Sequence, residues 1–322
     1  MHRHPSRRAV LAAGLAATLG ACGPTPGLPA PQAAVGAAGP EPSAVVTAAT
    51  GAVAVPGLPT RVVVLDTAEL DSAMTLGITP IGACRAAEAP GLPRYWPASR
   101  LAEVAVTGTI GAPDLAAIEA LRPELILSSR LRDGGRYEAL RRIAPTVLTR
   151  TTGATWKENF QLHARALGRQ AEADAVIAAY RTQLAETSRM VGGPGATAGR
   201  KVSLVRFVQG GRIRLYGRQS FPGSLLTDLG LGRPDAQNVD QFDTEVKPDQ
   251  LSGADGDLLL YSTYGDPDAA GTTATLAGPA WRALGAVRAG RAFPVDDQLW
   301  FEGIGCTGAG LVLSQLQCLL GF

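Results

Sequence analysis

The chain has 322 residues, 46% of them hydrophobic, with 30 basic residues against 28 acids and a formal net charge of +2. That length and apolar share are enough for a globular body with a sizeable core, and exclude a wholly disordered chain. The near-zero charge gives no electrostatic reason to expect a nucleic acid as partner.

The first 22 residues read as an export signal. A basic stretch with Arg3, Arg7 and Arg8 precedes an apolar run from Ala9 to Leu19, and Leu19-Gly20-Ala21-Cys22 follows. The run is about eleven residues, too short to span a bilayer of ~30 Å. Leu-Gly-Ala-Cys matches a lipobox, which makes Cys22 the lipidation site. Ser6-Arg7-Arg8 resembles a twin-arginine signal. Residues 1–21 are therefore expected to be removed, and the protein to work outside the cytoplasm, held to a bacterial membrane by lipid. Their loss removes three arginines and no acid, taking the net charge from +2 to −1.

Residues 22–59 are rich in Pro, Ala and Gly and are expected to be a tether, with a short strand near Ala52–Val55 docking on the body. The first α/β lobe is expected over 60–153. Arg61-Val-Val-Val-Leu65 reads as a strand buried on both faces, since β-branched residues run without alternation. A helix over Thr67–Leu76, stopped by Gly77, and a strand over Ile78–Ala83 come next. Asp114 caps a helix to Leu121, and Glu124–Ser129 is a strong strand. Tyr137–Ile143 reads as a helix and Thr146–Thr149 as a strand. The alternation predicts parallel β-α-β units.

A single helix is predicted over 154–191, with Phe160, Leu167, Ala171, Val176, Ile177, Tyr180 and Leu184 on its apolar face. A second α/β lobe should fill 192–322. Its strands are expected near Lys201–Val208, Ile213–Gly217, Asp257–Ser262 and Arg291–Pro294. Its helices are expected near Phe221–Leu229, Pro279–Leu284 and Gly303–Leu320. The fold class is thus α/β: two Rossmann-like lobes joined by one long α-helix, with a ligand cleft between them. In such sheets ligands lie beyond the carboxyl ends of the strands.

Once His2 and His4 leave with the signal, only His163 remains, so no metal site can rest on several imidazoles. No Gly-x-Ser-x-Gly, His-Glu-x-x-His or P-loop occurs. No catalytic residues, metal ligands or cofactor are assigned, and the chain is not read as an enzyme. Cys84, Cys306 and Cys318 are odd in number, and are expected to be buried free thiols.

Several blocks, in this order and spacing, resemble the iron-siderophore-binding lipoproteins of bacterial ABC importers, a binding-protein class with a rigid interlobe helix. They are RVVVLDTAELDSAMTLGITPIGA (61–83), GTIGAPDLAAIEALRPELILSS (108–129), IAPTVL (143–148), RIRLYGRQSFPGSLLTDLGL (212–231), DGDLLLYSTYGD (255–266) and WRALGAVRAGRAFPVDDQLWFEGIG (281–305). The resemblance implies a ferric siderophore as ligand, of hydroxamate type, and an ABC permease as partner, with the protein a monomer. The candidate ligand-binding residues of the first lobe are Arg85, Arg94, Tyr95, Trp96 and Arg130. Those of the second lobe are Arg206, Arg214, Tyr216, Arg218, Phe242, Tyr264, Trp300 and Phe301. Arginine suits the anionic oxygens of such a ligand and aromatic faces suit its scaffold; the ligand itself supplies the iron's coordination. Glu302 stands where the resemblance leads one to expect a mainly apolar residue.

The resemblance also implies an acidic docking residue on each lobe. Asp249 fits in the second; in the first, Ala116 stands where glutamate is common, leaving Glu119 or Asp114 as substitutes. Two alternatives stay open. One is a haem or corrinoid ligand on the same fold. The other is a cell-envelope interaction protein that kept the fold.

Overall fold

The computed structural model describes residues 44–320. The signal, Cys22 and most of the expected tether lie outside the described residues.

The expected tether stops short of residue 59. Strands β1 (Ala44–Ala48) and β2 (Gly51–Val55) form an antiparallel hairpin, with Val46 opposite Val53. Val46, Val53 and Val55 are buried in the main core, and the Ala49 amide donates to the Leu148 carbonyl at 2.9 Å. Alternate valines on one face give this short segment a buried side, which composition alone does not reveal.

The first sheet contains β3 (Val62–Val64), β4 (Gly82–Arg85), β5 (Ala105–Thr109), β6 (Ala112–Pro113), β7 (Leu125–Ser129) and β8 (Thr146–Thr149). Their order is β6-β5-β4-β3-β7-β8, and all neighbours are parallel except β5 and β6. Every residue of β3, β7 and β8 is buried, as expected of strands covered on both faces. The second strand starts later than Ile78 because Pro80 has no N–H for the ladder. The second sheet contains β9 (Val202–Val208), β10 (Arg212–Tyr216), β11 (Asp243–Val246), β12 (Leu258–Tyr264) and β13 (Ala292–Pro294), in the order β11-β10-β9-β12-β13. Here β9, β12 and β13 are parallel, whereas β10 and β11 run antiparallel. This lobe is therefore mixed rather than purely β-α-β.

The single joining helix is in fact two, Trp156–Leu167 and Gln170–Met190. Gly168 ends the first in the left-handed region at φ 65°, and a Cβ there would run into the Gly57 carbonyl. The break resets the helical phase, so Ala173 turns inward while Ala171 is exposed. Phe160, Leu167, Ile177 and Tyr180 are buried; Val176 and Leu184 are half-buried.

One continuous apolar cluster includes residues of the first lobe, both joining helices, the second lobe and the terminal helix Cys306–Leu320. A polar joint sits within it. Asp71, fully buried on helix Thr67–Thr75, accepts from the amides of Thr307 and Gly308 at 3.2 and 3.0 Å. Those amides open the terminal helix, whose unsatisfied N–H groups favour an acid. Tyr95 Oη and Thr75 Oγ1 also donate to Asp71, both at 3.1 Å. A side chain at Gly305 would collide with Asp71. Cys84 and Cys306 are buried; Cys318 is exposed, contrary to the expectation of three buried thiols.

Candidate functional site

A cleft of about 380 Å³ opens between the lobes. From the first lobe it receives Asp66 after β3, Ala86 after β4, Ile110 after β5, Arg132 after β7 and Thr152 after β8. The second lobe supplies Arg206 from β9, Tyr264 at the end of β12, and Phe301 and Glu302 after β13. The carboxyl ends of the parallel strands therefore converge on it, as an open α/β sheet dictates. Larger cavities of about 500 and 440 Å³ lie elsewhere, beside Arg200 and Leu320 and beside Lys157 and Asp228, away from those strand ends.

The floor combines aromatic rings with paired charges. Tyr216 packs against Phe301 and Phe242, with ring centroids 4.6 and 5.5 Å apart. The Arg206 guanidinium lies over Tyr264 at 4.5 Å and Phe301 at 5.3 Å. Arg206 donates to Asp297 through Nε at 2.7 Å and Nη2 at 2.5 Å, to Glu302 at 3.1 Å and to Tyr216 Oη at 3.3 Å. Burial, with Asp297 adding to it, pushes the Glu302 carboxyl up to about 7 despite the opposing charge of Arg206. Arg214 faces Asp243 at 3.6 Å and Glu245 at 3.1 Å. On the opposite wall Arg132 Nε donates to Asp66 at 2.8 Å, and the Asp66 charge holds that guanidinium above its ordinary pKa.

Behind this wall, Glu69 and His163 are buried 3.6 Å apart. Burial, helped by the charge of Asp66, raises Glu69 to about 8, and burial lowers His163 to about 3. They face each other uncharged at neutral pH. His163 Nδ1 bonds Ser72 Oγ at 2.8 Å, so this histidine is a core residue of the joint rather than a ligand.

Arg206, Arg214, Tyr216, Phe242, Tyr264 and Phe301 come together in the cleft. The other candidates do not line it. Arg85 turns back to donate to the carbonyls of Ala86, Ala87 and Ala89 at 3.0, 2.8 and 2.6 Å, bracing its own loop. Arg94 is exposed, 3.5 Å from Asp296, and lines a smaller adjoining cavity that shares Tyr264 and Glu302 with the cleft. Tyr95 points its hydroxyl at Asp71, and Trp96 is buried with Arg100 over its ring. Arg130 is exposed at the start of a short helix. Arg218 pairs with Asp240 at 3.0 Å outside the cavity. Trp300 is fully buried and donates to Gln315 at 2.6 Å, so it belongs to the core. The short helix Asp297–Trp300 ends there, and it is the next residue, Phe301, that lines the cleft.

Sequence reasoning did not select Asp66, Arg132, Asp297 or Glu302 for the site. The strand-end positions of Asp66 and Arg132 were the available signal for two of them. Asp249, Glu119, Asp114 and Ala116 are all exposed. Among the described residues no cluster of His, Cys, Asp or Glu could hold a metal ion, and no helix is long and apolar enough to cross a membrane.

A family model described as "Periplasmic binding protein" matches residues 62–299. The chain is 31% identical over 280 residues to the Bacillus subtilis "Probable siderophore-binding lipoprotein YfiY", covering 82% of this chain and 83% of that protein. It is 27% identical to the Escherichia coli "Fe(3+) dicitrate-binding periplasmic protein FecB", over 75% of this chain and 78% of that one. Staphylococcus aureus SirA, solved with staphyloferrin B, superposes with a TM-score of 0.77 at 26% identity, covering 86% of this chain and 98% of SirA.

Proposed function

The chain belongs to the periplasmic binding protein family, and from that premise we propose that it captures a ferric siderophore in the interlobe cleft and delivers it to an ABC permease. It is a binding protein, not an enzyme. The observation that carries the ligand reading is the convergence of three arginines and four aromatic rings on one cavity at the strand ends. Guanidinium groups suit the metal-bound oxygens and the rings suit an organic scaffold. The ligand brings its own iron coordination, so the cleft needs no histidine.

The hydroxamate class follows from the sequence resemblance. The name of FecB favours a second reading, in which citrate-type carboxylates are the chelating groups. Export, lipidation at Cys22 and tethering to a membrane complete the proposal, supported by the lipobox and by the word lipoprotein in the name of YfiY. Delivery would use exposed acids, Asp249 on the second lobe and Glu119 on the first.

The test is a tryptophan-fluorescence titration of residues 23–322 with ferrioxamine B, ferrichrome, ferric enterobactin, ferric citrate, haem and cobalamin. Saturable quenching by a ferric siderophore, absent with its iron-free form, is expected. A response to haem or cobalamin alone would replace the ligand. Silence across the panel would favour a cell-envelope interaction protein.

A further inference from the structure

The three cleft arginines are not free cations. Arg206 faces two carboxylates, Asp297 and Glu302, and the side chains of all three are about nine-tenths buried. Nε and Nη2 of Arg206 are engaged by those acids, and Nη1 by Tyr216 Oη. Asp297 is itself fixed by the Ser262 hydroxyl at 2.6 Å. Arg214 faces Asp243 and Glu245, the latter also 3.6 Å from Arg212, and Arg132 faces Asp66. Each guanidinium thus has at least one acid beside it, and the buried one has two. With Glu302 ionised the cleft is at most neutral, and the excess negative charge sits at Arg206, between the aromatic rings.

The net charge of a ferric complex depends on its chelating groups. Three hydroxamates, each a monoanion, neutralise Fe³⁺, and an amine tail makes the complex cationic. Three catecholates leave three negative charges, and citrate complexes are also anionic. An anionic complex entering this cleft would meet Glu302 and Asp297 beside an arginine they already occupy. Desolvated charges of like sign repel strongly where the effective dielectric is low.

We propose that Glu302, together with Asp297, makes the cleft selective for ferric complexes of zero or positive net charge, and so for tris-hydroxamates over tris-catecholates and ferric citrate. This rests on the siderophore reading above and narrows it. Glu302 is a specificity residue here: it acts on charge, and the rings of Tyr264 and Phe301 supply the contact surface.

The experiment compares wild type with Glu302→Gln at pH 8, where Glu302 is mostly ionised. Calorimetric titration uses ferrioxamine B (cationic), ferrichrome (neutral), ferric citrate and ferric enterobactin (both anionic). Wild type should bind the first two more tightly. Glu302→Gln keeps the shape and a hydrogen-bonding oxygen, and should raise affinity for the anionic complexes relative to ferrichrome. A unit charge about 8 Å away at an effective dielectric of about 20 corresponds to roughly thirty-fold. Asp297→Asn should act in the same direction, and a cooperative unfolding transition with the wild-type circular dichroism spectrum in either variant shows that folding is intact. Tighter binding of an anionic complex by wild type, or an equal effect of Glu302→Gln on all four ligands, overturns the charge proposal and leaves siderophore binding standing. No binding of any ferric complex overturns both.

Discussion

Replacing Asp71 by alanine tests how the two lobes are joined. The substitution leaves the amides of Thr307 and Gly308 without their acceptor inside the core, and also strands the Tyr95 hydroxyl. An unsatisfied buried donor costs about 1–3 kcal/mol, and relief of the desolvated charge offsets part of it, so a net loss of about 2–4 kcal/mol is expected. For a body of this size that lowers the melting temperature by roughly 5–12 °C. The loss should depend on pH with a defined sign. Burial raises the Asp71 carboxyl to about 6 in the folded protein, against 3.8 when unfolded. Its contribution is therefore fully present below pH 3.8 and is lost as pH rises through 6. Linkage gives a gap between wild type and Asp71→Ala that is about 1.4 kcal/mol larger at pH 5 than at pH 7.5. Urea unfolding followed by circular dichroism at both values measures it, and hydrogen exchange should speed up at Thr307 and Gly308. An equal gap at the two pH values, or a variant as stable as wild type, would refute the view that Asp71 fastens the first lobe to the terminal helix.

Three further outcomes are expected. Folded Glu69 and Glu302 have pKa values raised to about 8 and 7, so their contributions are present at low pH and lost as pH rises through those values; the melting temperature should fall between pH 6.5 and 8, and Glu69→Gln should flatten that slope. Phe301→Ala should weaken siderophore binding by about ten-fold or more, whereas Trp300→Phe, which keeps a large ring in the core, should change affinity less than about two-fold while lowering stability. Removing the chain up to residue 57 takes three buried valines from the core. At about 1.5 kcal/mol or more each, at least about 4 kcal/mol of stability should be lost in denaturant titration, whereas a mere tether would lose none.

Much of the fold was legible because burial on both faces leaves a mark in sequence. Val62–Val64 and Leu125–Ser129 are continuous apolar or small runs, and Gly77, Asp114 and Pro123 punctuate the helices as their chemistry requires. The Gly168 break was not legible, because a helical period continues on both sides and only the close approach of Gly57 fixes the chain's turn. The antiparallel course of β10 was hidden because strand-forming residues do not record direction, and β11, none of whose residues is buried, carries no apolar run to mark it. At the site, six of the thirteen ligand candidates line the cleft at the strand ends. Which of two adjacent aromatics faces inward, Trp300 or Phe301, depends on where a four-residue helix ends, and composition does not record that. The acids that hold Arg206 come from a loop and helix distant in sequence, so only the folded chain brings them within 3.1 Å.

Whether the ligand sits between the lobes is settled by a co-crystal of the chain with ferrichrome, measured at the iron absorption edge. One anomalous iron peak is expected in the cleft, flanked by Arg132 on one wall and by Tyr264 and Phe301 on the other. A peak in the cavity beside Arg200 and Leu320, or no peak from crystals grown at saturating ferrichrome, would contradict binding between the lobes.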